Sequence, residues 1–235
     1  TPHENHAIMQ ARCAESANHT AQTAIMSAIE TTEALLNTQI PLAGYHEQWA
    51  IEQATLGRIL SDLGHEEEAA LHLGAATERL EALIENDPDF STSYKSQRAA
   101  CWTALGTLYQ KMGDDEAALA MLKQAEAAFK DLATASPENA AYSNGLAWTY
   151  SYLADLMWQS EDSEAAVDYY NKALQLRLKL TDEPEHQNNL ARLIVSCRNL
   201  DLATGDRAIK AARAAVAIAP ENARYVSTLG SAYAK

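Results

Sequence analysis

The chain has 235 residues and a formal net charge of −14, from 18 Lys and Arg against 32 Asp and Glu. Hydrophobic residues make up 47% of it, and Gly (9) and Pro (6) are few, so a packed core is within reach and general disorder is excluded. So acidic a surface repels a phosphate backbone and points away from nucleic acid, and no apolar run of about 18 residues is present to span a membrane within this segment.

Ala is abundant and β-branched residues form no runs, which favours helix throughout. No period-two alternation occurs, so no strands are expected. Residues 3–37 read as one long helix with apolar Ile8, Ala11, Ile25, Ile29 and Leu36. It is expected to cap the first helix pair or to lead into the array from upstream. From there the punctuation is regular. Asp87-Pro88, Ser136-Pro137, Glu183-Pro184 and Ala219-Pro220 each put a proline where a helix can start, with Asp87 and Ser136 as caps. Between the prolines fall Leu63-Gly64-His65, Met112-Gly113-Asp114, Ser160-Glu161-Asp162 and Thr204-Gly205-Asp206. There a Gly can end one helix in the left-handed region and an Asp can start the next. The spacing predicts an N-terminal helix within 1–40 and four helix pairs over 41–222, at about 41–87, 88–136, 137–183 and 184–219. A single helix over 221–235 follows. The chain begins at Thr1 without Met and ends inside a helical pattern, and it reads as a piece of something longer.

The stretches superpose. Leu56-Gly57 recurs as Leu105-Gly106 after 49 residues and as Leu153-Ala154 after a further 48. On the same shifts fall Ala69, Ala118 and Ala166; Leu73, Leu122 and Tyr170; and Ala76, Ala125 and Ala173. A fixed period of this kind marks a solenoid. Residues 102–125 carry Trp102, Leu105, Gly106, Tyr109, Ala118, Leu122 and Ala125, a spacing that resembles the tetratricopeptide repeat (TPR). The small residues let paired backbones approach and the large ones fill the space between. The family period is about 34 residues, so each helix is lengthened by about two turns, which keeps the buried face in register. Near the C-terminus Ala208, Ala215 and Pro220 return to family spacing, and Val226, Leu229, Gly230 and Tyr233 repeat the first-helix signature. The resemblance implies an all-α, right-handed TPR-like superhelix (α-solenoid) of antiparallel helix pairs.

Little chemistry is visible. His3, Glu4 and His6 lie close together without a further ligand, so no metal is expected. Glu66, Glu67 and Glu68 suit the first turn of a helix, where they complement its dipole. Cys13, Cys101 and Cys197 are too far apart for a disulfide framework and read as small buried hydrophobes. No nucleophile elbow, Cys-His signature, phosphate loop or kinase motif is present. The expectation is a protein with no catalytic residues and no cofactor.

By the resemblance, partners meet positions two, five, nine, twelve and thirteen of each first helix, on the concave face. In this sequence these are Arg58, Ser61 and Asp62; Thr103, Thr107, Gln110 and Lys111; Trp148, Ser151, Asp155, Trp158 and Gln159; and Arg192, Val195 and Asn199. Trp148 and Trp158 stand off the predicted core positions Tyr150, Leu153 and Met157, and are read either as groove residues with Arg192 beside them, the residue types of binding hot spots, or as core residues that the lengthened helices bury against a neighbour. The clamp that holds chaperone tails in some relatives is not matched, because its places hold Ala54, Arg58, Thr103 and Thr107. The leading expectation is a non-enzymatic module that binds a protein or peptide, as part of a larger signalling or assembly protein. Long-helix arrays of this kind are similar to those that follow bacterial serine/threonine kinase domains. A small-ligand or peptide sensor built on Trp148, Trp158 and Arg192 is the second reading. A scaffold that self-assembles into oligomers is the third.

Overall fold

The structure, a computed structural model, describes residues 19–34, 43–86, 90–180, 184–196 and 205–234. These hold α1 over 19–34, α2 (Ala43–Leu63), α3 (Glu66–Asn86), α4 (Ser91–Met112), α5 (Asp115–Ala135), α6 (Ala140–Gln159), α7 (Ser163–Lys179), α8 (Pro184–Ser196), α9 (Gly205–Ile218) and α10 (Ala223–Ala234). No strand occurs among the described residues. Helices α2 to α6 run to 20–22 residues, whereas α8 to α10 have 12–14, so the array returns to shorter units toward its end. The chain divides into two units, Thr1–Ala125 and Glu126–Lys235, with the division inside α5.

In the first unit α3 packs against both α2 and α4. The core is Leu56, Leu60, Ala69, Leu73, Leu105 and Leu108, closed on one side by Ile29 of α1. Trp49 Nε1 donates to Glu33 Oε1 at 3.1 Å and ties α1 to α2. Ile8, Ala11, Leu36 and the His3–His6 group lie outside the described residues. In the second unit α6 pairs with α7 and α8 with α9, and α10 lies against α8 and α9.

The positions that recur on the 48- to 49-residue shifts are buried. This holds for the two alanine series, for Leu73, Leu122 and Tyr170, and for Leu56, Leu105 and Leu153. The glycines of the first two pairs mark the closest approach. A Cβ on Gly57 would lie 2.7 Å from Leu73 Cγ, and one on Gly106 would lie 2.6 Å from Leu122 Cγ and 3.2 Å from the Ala118 carbonyl oxygen. We expect Gly106→Ala to cost about 1–3 kcal/mol through overpacking. Gly74→Ala, where a Cβ meets nothing within 4 Å, should gain up to about 1 kcal/mol of helix propensity. Urea denaturation of the two variants checks both signs.

The third pair replaces that approach with a polar tie. Ala154 stands where Gly57 and Gly106 stand, Tyr170 replaces the leucine, and its hydroxyl donates to Asp155 Oδ1 of the facing helix.

The first two turns within pairs follow the sequence expectation, whereas Gly205 opens α9 rather than ending the helix before it. Gly64 and Gly113 take φ of 82° and 80°, and Asp114 Oδ1 and Asp162 Oδ1 accept from the backbone N–H of Ala117 and Ala165. In the third turn Glu161 sits in the left-handed region at φ 63°. An L-residue pays about 1–2 kcal/mol there, so Glu161→Gly should stabilise by about 1 kcal/mol, read as a rise in thermal midpoint.

The proline starts need correction. Pro184 does open α8, but Pro137 and Pro220 lie in turns ahead of their helices. Ser136 is therefore not the cap of α6. In both segments the sequence runs Pro-Glu-Asn and the helix begins after the Asn. Asn139 Oδ1 accepts from Ala141 N–H and Asn222 Oδ1 from Arg224 N–H, each at 3.1 Å. Proline fixes φ in the turn, and the amide side chain two residues later satisfies the orphan donor. Pro88 and Asp87 lie outside the described residues.

Candidate partner-binding site

The first helices α2, α4, α6, α8 and α10 carry the sequence-predicted positions. In the first unit Arg58 and Asp62 are exposed. Thr107, half-buried, donates to the Ala104 carbonyl at 2.8 Å, and Gln110 is half-buried beside it on α4. Lys111 Nζ donates to the backbone carbonyl and hydroxyl oxygens of Ser61, at 3.2 and 3.1 Å, which links α4 to α2. Between them, Ile51, Ala54, Arg58, Ala100, Cys101 and Ala104 border a small, mostly apolar cavity of about 120 Å³. Burial pushes the Cys101 thiol up to about 11, so it is unreactive at neutral pH. Cys13 and Cys197 lie outside the described residues.

The second unit concentrates the polar features. Trp148 is half-buried on α6, stacked on Tyr152 with ring centroids 6.1 Å apart. The Arg192 guanidinium carbon lies 4.7 Å from the Trp148 ring centroid, and that of Arg177 lies 4.4 Å from it. The structure thus brings Trp148 and Arg192 together. Trp158, also half-buried, sits ten residues further along α6, about 15 Å along the axis. Ser151 is buried and its hydroxyl is used on the Ala147 carbonyl at 2.8 Å. Asp155 is engaged by Tyr170. Asn199 lies outside the described residues.

Sequence reasoning missed Arg177. It lies on α7, a second helix, and is fully buried. It falls 48 residues after Phe129 and 97 after Leu80, the same shifts as the rest of the repeat. Both counterparts are buried hydrophobes, at 4% and 1% exposure. A charge at a core position of a periodic pattern was a readable signal. Its Nη1 donates to Asn144 Oδ1, which also takes a long bond of 3.5 Å from Asn189 Nδ2. Burial, then the neighbouring Arg192 charge, pulls its pKa down to about 9, so at neutral pH it is a buried cation.

Also missed were Arg224, Ser227 and Ser231, at positions two, five and nine of α10 when Val226, Leu229, Gly230 and Tyr233 set the register. With Arg192, Val195 and Thr228 they line a groove of about 650 Å³ between α8 and α10. Arg224 pairs with Glu185 at 3.6 Å, both exposed, a contact of small energetic weight. Arg192 and Arg224 thus put two guanidinium groups on this groove in a chain of net charge −14. The core face of α10 itself is open, with Val226 49% and Tyr233 55% exposed, and Arg213 donates to the Tyr233 hydroxyl at 2.8 Å. No group of three or more His, Cys, Asp or Glu side chains placed to hold a metal occurs among the described residues. None of their helices is long and apolar enough to cross a membrane.

The family model for the tetratricopeptide repeat matches residues 99–137 and 146–179. A thermophilic TPR protein of Thermus thermophilus is similar over 95% of this chain and 97% of its own, at 21% identity and a TM-score of 0.58. BtubC (BKLC) of P. vanneervenii is similar over 92% of this chain and 83% of its own, at 20% identity and a TM-score of 0.49. The C-terminal part of a TPR repeat-containing protein of Cytophaga hutchinsonii is similar over 93% and 98%, at 14% identity and a TM-score of 0.34. At these identities likeness bears on fold alone, and only the first of the three is near enough in shape to carry it. A search of the curated proteins found no match. The repeat supports a general role in protein–protein interaction or scaffolding, and proteins built from it are generally not enzymes. The pattern, the buried repeat positions and the matched family model agree: residues 99–137 and 146–179 are tetratricopeptide repeats, set in a chain of lengthened helix pairs.

Proposed function

We propose that this protein is a non-enzymatic interaction module that holds a peptide or an extended segment of a partner on the first-helix face of its second unit, along α6, α8 and α10. One observation carries this reading. A half-buried Trp meets two arginines, and one of them, Arg192, also lines a groove of about 650 Å³ in an otherwise acidic chain. Aromatic and Arg side chains at such a place are the anchors of binding hot spots, and the local positive charge favours an acidic partner.

The test is affinity capture with mass spectrometry, comparing wild type with Trp148→Ala/Arg192→Ala, the latter shown by circular dichroism to be folded. A protein held by wild type and lost from the variant is the expected outcome. Equal retention by both moves the site off this face. The signalling context is part of the same proposal: it expects a kinase or similar catalytic domain upstream in the reading frame, and a reading frame that starts near Thr1 would remove it.

A further inference from the structure

The cavity between α2 and α4 lies in the first unit and takes no part in the site proposed on the second. Its floor is buried. Ala50 has no exposed surface, and Leu73, Leu80 and Cys101 are 4% exposed or less. Its mouth is formed by residues that solvent reaches, Ile51, Arg58 and Ala100.

The cavity has a cause in the repeat. Ile51, Ala100 and Trp148 share one column of it, and Thr55, Ala104 and Tyr152 share another, on the 49- and 48-residue shifts. On α6 the large pair stack on each other. On α4 the same two places hold alanines, and both line the cavity. Small residues in a helix pair often serve only to let the backbones close up. Here about 120 Å³ stays open between the helices. An apolar cavity of about 150 Å³ is enough to hold benzene, so this one has room for about four or five carbon atoms.

The mouth fixes the other end of the ligand. Among the described residues Arg58 is the one charged side chain that lines the cavity. No carboxylate among them pairs with it, and its contact is a long one of 3.4 Å to Thr55 Oγ1. The guanidinium is close enough that its charge acts on the Cys101 thiol at the floor, in opposition to burial. Gln97 is the other polar group. Its Nε2 donates to Glu47 Oε1 at 2.7 Å and to Ser93 Oγ at 3.2 Å, and its Oε1 is buried. Neither end of that amide is offered to a ligand. A peptide crossing the mouth would bring a row of N–H and C=O groups to a rim of methyl groups that cannot pair with them. A short hydrocarbon with one acidic head needs only what is there, apolar walls for the tail and a guanidinium edge for the head.

We infer that the cavity between α2 and α4 binds the hydrocarbon tail of a short-chain aliphatic acid, with the anionic head on Arg58 at the mouth. This is a small-molecule site, and it does not depend on the partner face along α6, α8 and α10.

The experiment is methyl NMR of the whole chain labelled at alanine, titrated at constant ionic strength with acetate, butanoate, pentanoate, hexanoate and pentanamide. The signals of Ala100 and Ala104, assigned by their loss in single Ala→Ser variants, should move with pentanoate. Affinity should rise about fourfold per methylene up to a tail of about five carbon atoms and then level off. Pentanamide has the same tail without the charge and should bind about tenfold more weakly or worse. Arg58→Gln should bring pentanoate down to the level of pentanamide, whereas Arg213→Gln, which removes an equal charge from α9, should change nothing. Ala104→Leu fills the cavity and should abolish the shift at Ala100, with its fold checked by circular dichroism. Arg58→Gln changes an exposed side chain, so it carries the test even where the filled variant does not fold.

Shifts that ignore chain length overturn the inference, as does pentanamide that binds as tightly as pentanoate. So does wild-type affinity in Arg58→Gln or in a folded Ala104→Leu. No shift at Ala100 and Ala104 with any of the acids at tens of millimolar overturns it as well. Each of these outcomes leaves the reading of the second unit as it stands, since that reading is tested by capture with Trp148→Ala/Arg192→Ala.

Discussion

Arg177→Leu is expected to make the second unit more stable, by about 1–4 kcal/mol, because it exchanges a buried and incompletely bonded charge for the kind of side chain that Leu80 supplies in the first repeat. The gain should depend on pH. Burial, then the neighbouring Arg192 charge, lowers the pKa of Arg177 to about 9 in the folded chain, well below its value in the open chain. Below about 9 both states are protonated and the cost is fully present. As pH rises above about 9 the unfolded chain holds more protons than the folded one, so wild type recovers stability. The advantage of the variant should therefore be largest at neutral pH and shrink by pH 10. Urea titrations at pH 7 and pH 10 measure it. A variant less stable than wild type at pH 7 would mean that Arg177 is better satisfied than its geometry allows. A stability gain coupled to a loss of partner binding is the signature of a residue kept for function.

The second large effect is on binding. Trp148→Ala should weaken a captured partner by about 2–4 kcal/mol, roughly 30- to 1000-fold, as truncation of a central aromatic anchor does. Trp158→Ala, about 15 Å away along α6, should cost less than about 1 kcal/mol. Calorimetric titration of both variants against the same partner separates the two. The loss of fold stability in Trp148→Ala should fall below the usual cost of removing a buried Trp, because water would then reach Arg177 and solvate it.

The repeat was legible because close packing leaves a periodic trace. Ala69, Ala118 and Ala166 have no exposed surface, and only a small residue fits each of those places. The left-handed turns at Gly64 and Gly113 were legible for the same steric reason. Glu161 was less so, since its conformation is imposed by the helices it joins. The Pro137 and Pro220 starts were misplaced by three residues because a proline suits a turn as well as a first helical turn, and the capping role belonged to Asn139 and Asn222. At the site, Trp148 and Arg192 could be found from register alone. Arg177 could not be reached by searching first-helix positions. It shows only when second helices are compared and one charged residue appears in a column of hydrophobes. That Arg177 and Arg192 both meet the Trp148 ring depends on distances across three helices, which no spacing encodes.

The twin Pro-Glu-Asn segments make α6 and α10 interchangeable at their start. Each carries its own turn, its own cap and its own first-helix register within a few residues. A duplication or excision whose ends fall at Pro137 and Pro220 would therefore join two intact helix beginnings and leave no orphan amide at the seam. Such a boundary lets an array lengthen or shorten by whole hairpins in a single genetic step, with the groove-facing residues copied in phase.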